Sequence, residues 1–247
     1  MALRLASRGR QRRSEAVQRL PGASRLAPYV TLCVALLGGS FDPVHNGHVA
    51  LATLFATLLE PDQLRILPAG SPWQKSGLQA RDADRIAMLR LAFAGAAATH
   101  PVTLDLQEIE RGTPTYTIDT LRSVRAELGP DASIVFLMGS DQLQQLDSWR
   151  EWRQLFELAH IGVAARPGFS MADAALPAAV ASELTMRRGS LAQLRNTPSG
   201  RAYLAETLDV DISATQIRAA LQRGEKANSL ISPVVLDYIQ QHNLYEI

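Results

Sequence analysis

Cysteine is almost absent from this chain, and so is any apolar run long enough to cross a membrane. Cys33 is the single cysteine among 247 residues, which excludes an internal disulfide, a Cys-rich zinc site and a CxxC redox pair. A lone thiol is typical of a reducing compartment, so we expect a cytoplasmic protein. The apolar runs fall short of the roughly 20 residues that a transmembrane helix needs, so no membrane partner is expected. A hydrophobic content of 47% with 20% charged residues indicates a folded domain with a sizeable core.

The net charge of only +1 hides an uneven distribution. Residues 1–29 contain seven arginines and one acidic residue, Glu15, so the rest of the chain is net acidic and a nucleic-acid partner is not expected. We predict a basic, disordered extension over residues 1–29 and a single domain over residues 30–247. A start codon assigned too far upstream is an alternative. The apolar run Tyr29–Leu37 after the arginines imitates a secretory signal, but cleavage there would remove a strand that the next motif needs.

Short β-rich runs alternate with longer helical patterns from residue 31 onwards. The predicted strands are Thr31–Leu37, Leu64–Leu67, Val102–Leu106, Ser133–Met138, Ile161–Ala165 and Thr207–Val210. The predicted helices are Gly47–Leu59, Asp82–Ala98, Thr117–Leu128, Arg150–Leu158, Ala214–Gln222 and Pro233–Gln241. The less regular segment Phe169–Ser199 is predicted to be a helical connector. This alternation predicts an α/β fold, a doubly wound parallel sheet that binds its ligand beyond the carboxyl ends of the strands.

The turn after the first predicted strand has the sequence GGSFDPVHNGH, residues 38–48. Paired glycines allow the backbone to approach a ligand closely, and the positive end of the helix that begins near Gly47 can hold a phosphate. His45 and His48 are three residues apart, so on a first helical turn both can donate to the same phosphoryl group. Neither common phosphate loop, GxxxxGK[ST] or GxGxxG, is present. Taken alone, the two histidines are equally well explained as surface or capping side chains.

A second pattern suited to phosphate lies near the other end of the chain, ISATQIR at residues 212–218. Ser213 followed by Gln216 predicts a capping box at the start of a helix. Its N–H groups, the hydroxyls of Ser213 and Thr215 and the guanidinium of Arg218 can together hold a polyphosphate. Taken alone, an ordinary capped helix with a surface arginine is the alternative.

The two motifs together resemble those of the HxGH nucleotidyltransferase superfamily, and GGSFDPVHNGH is especially similar to the signature of the bacterial nicotinate-nucleotide adenylyltransferases. The resemblance covers about residues 31–247 and weakens over 169–200. It implies one Rossmann-like nucleotidyltransferase domain with C-terminal helices. It further implies catalytic roles for His45, His48, Lys75 and Arg218, ATP contacts for Gly39, Ser40, Phe41, Gly47, Gly139, Asp141, Arg166, Ile212, Ser213 and Thr215, and contacts to the pyridine nucleotide for Tyr116, Thr117 and Trp149.

Two internal segments carry the resemblance between the motifs. In PAGSPWQK, residues 68–75, Lys75 matches a phosphate ligand of the family, whereas Gln74 stands where the family usually has histidine. A plain loop with a solvated lysine is the alternative for Lys75. In GTPTYTIDT, residues 112–120, Thr117 is a plausible helix N-cap, and the resemblance implies that the backbone of Tyr116 and Thr117 contacts the nicotinate carboxylate.

Two further segments follow the predicted strand SIVFLM. An acid at a strand's carboxyl end, here Asp141 after Gly139, can bind ribose hydroxyls, and its alternative role is the N-cap of the next helix. Trp149 can stack on a flat heteroaromatic ring, as the first tryptophan does in the family. Trp152, three residues later, is predicted to lie in the core.

The resemblance implies transfer of AMP from ATP to nicotinate mononucleotide, giving deamido-NAD and pyrophosphate without a covalent enzyme intermediate. Mg²⁺ would accompany ATP, with no metal site made by the protein alone. The alternatives are a different acceptor, such as nicotinamide mononucleotide or phosphopantetheine, and a protein without catalysis, either a nucleotide-binding regulator or a nucleic-acid-binding protein that uses its basic extension. A class I aminoacyl-tRNA synthetase shares HxGH, but such chains are usually much longer. A homo-oligomer is left open.

Overall fold

The central strand of the fold is apolar on both faces. Residues 33–37 are all buried, as expected for a parallel strand that is covered by helices on each side. The structure is a computed structural model and describes residues 31–72, 78–96, 100–165, 176–205, 212–225, 227 and 229–245. All of these lie in one unit, Thr31–Ile247. The predicted basic extension, residues 1–29, lies outside the described residues.

The described residues contain eight strands and ten α-helices. The strands are β1 Cys33–Gly39, β2 Gln63–Pro68, β3 Ser71–Pro72, β4 Val102–Leu104, β5 Pro114–Thr115, β6 Ser133–Gly139, β7 His160–Ala164 and β8 Ala202–Ala205. The helices are α1 Asn46–Leu59, α2 Asp82–Phe93, α3 Gln107–Arg111, α4 Thr117–Leu128, α5 Ser140–Leu143, α6 Leu155–Leu158, α7 Ala178–Met186, α8 Leu191–Asn196, α9 Ala214–Gln222 and α10 Pro233–Gln241. None of the helices in these ranges is long and apolar enough to cross a membrane.

Six strands form a parallel sheet in the order β4-β2-β1-β6-β7-β8. Alternate side chains of each strand enter different cores, so that Ala35 and Leu37 pack with α1, α2, α9 and α10, whereas Val34 and Leu36 pack with α4, α6 and α7. The predicted doubly wound α/β fold is therefore confirmed. The chain runs outward in both directions from β1 and β6, so the crevice between their carboxyl ends is where such a sheet binds its ligand.

Three predicted elements differ from the structure because of local backbone features. The helix predicted over Arg150–Leu158 is broken, since Glu151 has a φ of 52° and only a 3-10 turn and the short α6 follow it. The helix predicted over Asp82–Ala98 ends at Phe93, shortly before the flexible residue Gly95. The strand predicted over Val102–Leu106 ends at Leu104, because α3 begins directly after Leu106.

The last strand among the described residues, β8, was not predicted from the sequence. β8 spans Ala202–Ala205 and pairs with β7, whereas the predicted strand Thr207–Val210 lies outside the described residues. Ala202 and Ala205 are buried beside β7, and small side chains of this kind carry little strand propensity in a sequence. The predicted helical connector contains α7 and α8 in its described part.

Candidate active site

The turn between β1 and α1 brings two imidazole rings together at the carboxyl end of the central strand. His45 is the N-cap of α1, and His48 is the third residue of the helix. Their rings stack with centroids 3.7 Å apart and an interplanar angle of 27°. The fully buried ring of Phe41 packs edge-on against His48 at 4.8 Å, and a Cβ on Gly39 would lie 3.0 Å from that ring. Phe41 and Gly39 therefore support His48 by packing.

The hydrogen bonds at the start of α1 determine which imidazole atoms can donate. The His45 N–H donates to His48 Nδ1 at 3.2 Å, which assigns the ring proton of a neutral His48 to Nε2. The Asn46 N–H donates to the Leu230 carbonyl at 2.9 Å. Gly47 is the second residue of α1, and the N–H groups of a first helical turn have no acceptor within their own helix. The site thus offers a directed imidazole donor beside a helix amide.

Arg218 joins the two motifs that the sequence separates widely. Its Nη1 donates to the carbonyl of Asp42 at 2.6 Å, across 176 residues of chain. Its Nη2 donates to Thr215 Oγ1 at 3.3 Å, one helical turn earlier. The guanidinium therefore lies against the turn that carries both histidines, as the convergence of the two motifs requires.

Helix α9 begins where the sequence predicts, but the predicted capping box is wrong. Ser213 is the N-cap, yet no hydrogen bond from its side chain caps the helix. Gln216 is exposed, and water competes for the amide that a capping box would need. The Ser213 carbonyl accepts the Ile217 N–H at 3.0 Å, and Ile212 packs against the core that contains Ile217.

Asp42 is a buried residue that accepts hydrogen bonds from several distant segments, and the sequence analysis did not identify it. Its side chain is 3% exposed and accepts hydrogen bonds from the N–H groups of Gln79 and Ala80 at 2.8 and 3.1 Å. The hydroxyl of Tyr245 donates to Asp42 Oδ1 at 2.7 Å. Burial, and then the bond to Asp42, raise the pKa of Tyr245 far above its ordinary value. This carboxylate already has three donors, so it is poorly suited to hold a metal.

Arg85 is a second residue that sequence inspection missed. It is fully buried on α2, where its Nη1 donates to the Ser40 carbonyl at 2.7 Å and its Nη2 donates to Asp82 Oδ1 at 2.6 Å. It shares the buried stripe of Met88 and Leu89, three and four residues further along the helix. The signal in the sequence was an arginine at a position that the helical spacing of Met88 and Leu89 assigns to the buried face of the helix.

The carboxyl end of β6 lies beside that of β1, since Leu37 pairs with Leu137 in parallel register. Gly139 precedes α5, and the exposed Asp141 is the second residue of that helix rather than its N-cap. A Cβ on Gly139 would lie 2.5 Å from Asp141 Oδ1. The glycine therefore makes room for this carboxylate, which Gln142 Nε2 contacts at 2.8 Å.

In the segment predicted to bind the pyridine carboxylate, the helix N-cap lies one residue earlier than expected, although the helix itself has the predicted bounds. Tyr116, not Thr117, is the N-cap of α4, and no side chain caps this helix. The pairing of β5 with β3 keeps the chain extended through Thr115, and the Tyr116 carbonyl then accepts the N–H groups of Asp119 and Thr120. The guanidinium of Arg150 lies over the Tyr116 ring, 5.0 Å from its centroid.

Trp149 lies at the edge of the core on the same side of the sheet as Tyr116. Its ring meets that of Phe136 edge-to-face at a centroid distance of 6.2 Å, and Phe136 would contact a Cβ on Gly38 at 3.3 Å. The indole Nε1 is buried without a hydrogen-bond partner among the described residues. Trp152 is 7% exposed, which confirms its predicted place in the core.

Three residues singled out in the sequence are not covered by the structure. Gln74, Lys75 and Arg166 all lie outside the described residues. Within the described ranges, no group of three or more His, Cys, Asp or Glu side chains is arranged to hold a metal ion.

Comparison with known sequences extends the resemblance over most of the chain. Residues 36–220 match the model of the family described as cytidylyltransferase-like. A protein of Herminiimonas arsenicoxydans named "Probable nicotinate-nucleotide adenylyltransferase" is 62% identical over 217 residues, which is 88% of this chain and 98% of that protein. A protein of the same name from Laribacter hongkongensis is 46% identical over 87% of this chain and 94% of its own length.

Comparison with solved structures supports the fold. The nicotinic acid mononucleotide adenylyltransferase of Plasmodium falciparum, solved in complex with NaAD, superimposes with a TM-score of 0.65 at 21% identity. The match covers 86% of this chain and 97% of that chain. The same protein, complexed with APC, gives a TM-score of 0.63 at 20% identity over 86% of this chain and 96% of that chain.

Proposed function

The chain belongs to the cytidylyltransferase-like family and, within it, to the nicotinate-nucleotide adenylyltransferases, and we propose how its described residues perform that reaction. The enzyme acts in NAD biosynthesis: AMP passes from ATP to nicotinate mononucleotide, and deamido-NAD and pyrophosphate are formed. The hydrogen bond from Arg218 to the Asp42 carbonyl carries the proposal, because it unites the two motifs at the end of β1.

The histidines and Arg218 bind the phosphates of ATP. His48 presents Nε2–H as a donor because its Nδ1 is occupied by the His45 N–H. The Gly47 N–H, His45 and the start of α9 with Ser213 and Thr215 add donors around the same turn. Arg218 contributes a positive charge that faces the leaving pyrophosphate.

Transfer proceeds by direct in-line displacement. A phosphate oxygen of nicotinate mononucleotide attacks the α-phosphorus of ATP, and the bond from that phosphorus to the oxygen bridging to the β-phosphate breaks. The electron pair of the broken bond leaves with pyrophosphate. The second pKa of a phosphate monoester is about 6, so the nucleophile is already ionised near neutral pH and needs no strong base. Alignment and charge stabilisation are therefore the tasks of the protein.

The residues present fit Mg²⁺ that is held by ATP rather than by a carboxylate cage. Asp42, the buried carboxylate nearest the histidines in sequence, has its oxygens committed to Gln79, Ala80 and Tyr245. Mg²⁺ bound to the phosphates would offset their charge and hold them in one conformation. The protein's own contribution is then to orient that complex through Arg218 and His48.

The acceptor nucleotide binds on the side of Tyr116 and Trp149. The indole face of Trp149 stacks on the pyridine ring. Asp141, at the end of β6, is proposed as an ATP contact that accepts hydrogen bonds from ribose hydroxyls. The N–H groups at the start of α4, beginning at Thr117, favour an anionic carboxylate over a neutral amide. This charge preference selects nicotinate over nicotinamide mononucleotide.

Several elements of the proposal depend on the family resemblance alone. Lys75 is proposed as a further phosphate ligand and Arg166 as a residue near the nucleotide. Residues 30–247 form the catalytic domain, and residues 1–29 are an extension that the reaction does not need. We also propose that the protein is located in the cytoplasm.

The test is a steady-state assay with Mg-ATP and either mononucleotide, in which released pyrophosphate is followed and the dinucleotide is identified by mass. Nicotinate mononucleotide is expected to give the higher kcat/KM. Arg218→Ala is expected to lower kcat/KM for ATP by about 10- to 100-fold, the cost of losing a hydrogen bond from a charged group. Gln216→Ala, an exposed change on the same helix, is the control. Wild-type kinetics in Arg218→Ala would remove Arg218 from the site.

A further inference from the structure

The last described residue of the chain reaches back to the turn that carries the histidines. Tyr245 follows α10, and its side chain is 7% exposed within the core. Its hydroxyl donates to Asp42 Oδ1 at 2.7 Å, across 203 residues of chain. None of the roles proposed above for substrate binding or phosphoryl transfer uses this side chain.

The backbone at this position is unusual. Tyr245 has a φ of 66°, a left-handed conformation that is rare for a bulky residue. Such a conformation persists only where the surrounding structure determines it. Here the buried ring and the hydrogen bond to Asp42 hold the backbone in this conformation, so Tyr245 is turned inward towards the turn before α1.

Asp42 links Tyr245 to Arg218 through a single residue. The carboxylate accepts the Tyr245 hydroxyl together with the N–H groups of Gln79 and Ala80. The carbonyl of the same residue accepts Arg218 Nη1 at 2.6 Å. Because three donors hold the side chain of Asp42, they also limit the orientation of its carbonyl, and with it the direction of the Arg218 guanidinium.

We propose that Tyr245 is a positioning residue for adenylyl transfer, which acts through Asp42 to hold Arg218 against the β- and γ-phosphates of ATP. This inference rests on the proposed role of Arg218. Tyr245 itself touches no substrate in this scheme. Since burial keeps the phenol protonated, it remains a donor throughout the working pH range.

The chain offers a matched control for this bond. Tyr238, on α10, donates its hydroxyl to Asp84 Oδ1 at 3.1 Å, and Asp84 is also 3% exposed. Tyr238→Phe and Tyr245→Phe therefore each remove one hydrogen bond from a tyrosine near the C-terminus to a buried aspartate. The acceptor of Tyr245, Asp42, lies in the turn before α1, whereas the acceptor of Tyr238 lies on α2.

The experiment compares the steady-state kinetics and thermal unfolding of both variants. Tyr245→Phe is expected to lower kcat about 10-fold, because a small misplacement of a positioned group costs up to about 100-fold in rate. The KM for nicotinate mononucleotide is expected to stay unchanged. Tyr238→Phe is expected to keep the wild-type kcat with a similar shift in unfolding temperature. Equal kcat values in the two variants would overturn the proposal.

A double-mutant cycle separates positioning from a general loss of stability. In the Arg218→Ala background, Tyr245→Phe is expected to cause no further loss of kcat, since the group it positions is gone. Full additivity of the two losses would contradict the proposal. If Arg218→Ala instead has wild-type kinetics, the proposed role of Arg218 fails, which is a different outcome from a failure of Tyr245 alone.

Rescue gives an independent measurement. p-Aminophenylalanine at position 245 restores an N–H donor in place of the hydroxyl and is expected to recover most of the lost kcat. p-Methylphenylalanine fills the same space without donating and is expected to remain slow, and it replaces Tyr245→Phe in the comparison if that variant does not fold. Equal rates for these two side chains would overturn the proposal.

Discussion

The two sides of the crevice are built by different kinds of contact. On the histidine side, defined as residues 39–48 with Arg218, ring contacts of His48 with His45 and Phe41 are joined by hydrogen bonds between distant segments, as in the bonds from Arg218 and Tyr245 to Asp42. On the aromatic side, defined as Tyr116, Phe136 and Trp149, the contacts are between rings or between a ring and Arg150. Hydrogen bonds depend steeply on distance and angle, whereas ring contacts tolerate a range of geometries. We therefore expect the histidine side to set the rate and the aromatic side to set affinity.

The largest effect is expected from His48→Ala. Loss of one directed donor to the transition state lowers kcat by about 100-fold or more in comparable sites, and the KM for nicotinate mononucleotide should change little. The measurement is pyrophosphate release at saturating substrates, with circular dichroism to confirm the fold. An unchanged kcat would break the comparison, because the histidine side would then not set the rate.

Arg85→Ala tests whether the hydrogen bond from Arg85 to the Ser40 carbonyl stabilises the histidine side. The change leaves the Ser40 carbonyl without its buried donor and opens a cavity, so the free energy of unfolding should fall by about 2–3 kcal/mol. Urea denaturation measures the loss. Arg90→Ala, an exposed change on the same helix, should stay within about 0.5 kcal/mol of wild type. Equal stability of the two variants would mean that Arg85 does not support the turn.

Trp149→Ala tests the aromatic side. Stacking of aromatic rings contributes about 0.5–1.5 kcal/mol, so the KM for nicotinate mononucleotide should rise about 2- to 10-fold while kcat falls less. Trp149→Phe retains a flat ring and should show a smaller rise. If kcat falls with no change in KM, the division between rate and affinity is wrong.

The smallest effect is expected at the opposite end of the sheet, at the start of β7. His160 accepts the Arg201 N–H at Nδ1 and contacts the Thr197 carbonyl through Nε2, and burial lowers its pKa. The ring is therefore neutral in the folded protein.

The unfolded chain binds a proton at His160 more readily than the folded protein does, because the folded-state pKa is the lower of the two. The free energy of unfolding is therefore highest above the unfolded-state pKa of about 6.5, and it falls as the pH drops from there toward the folded-state pKa. Denaturation between pH 7.5 and 5.5 should show a slope of at most about 1.4 kcal/mol per pH unit from this one proton. His160→Gln should flatten the curve without changing kcat at pH 7.5. An unaltered slope in His160→Gln would assign the pH dependence to other groups.

The elements that local signals define were predicted closely. The bounds of α4, α9 and α10 coincide with the predicted helices, because their starts and ends are marked by residues that change backbone preference, such as Pro233. The predicted strand Ser133–Met138 differs from β6 by one residue, since a continuous apolar run of that length is typical of a buried parallel strand. By contrast, the break at Glu151 has no local signal of its own, because glutamate is not a residue that favours a positive φ.

The sequence by itself determined the α/β class and the family, since the first depends on periodicity and the second on short motifs that can be recognised without a structure, whereas the roles of the individual site residues stay predictions. Only the tertiary structure decided that Arg218 meets the Asp42 carbonyl, that Arg85 supports Ser40 and that Tyr245 closes onto Asp42. Arg218 and Arg85 lie on helices, and Tyr245 follows one; these helices, α9, α2 and α10, pack on the same face of the sheet. Hydrogen bonds between segments so far apart are set by how the helices pack, and no local pattern of residues encodes that arrangement.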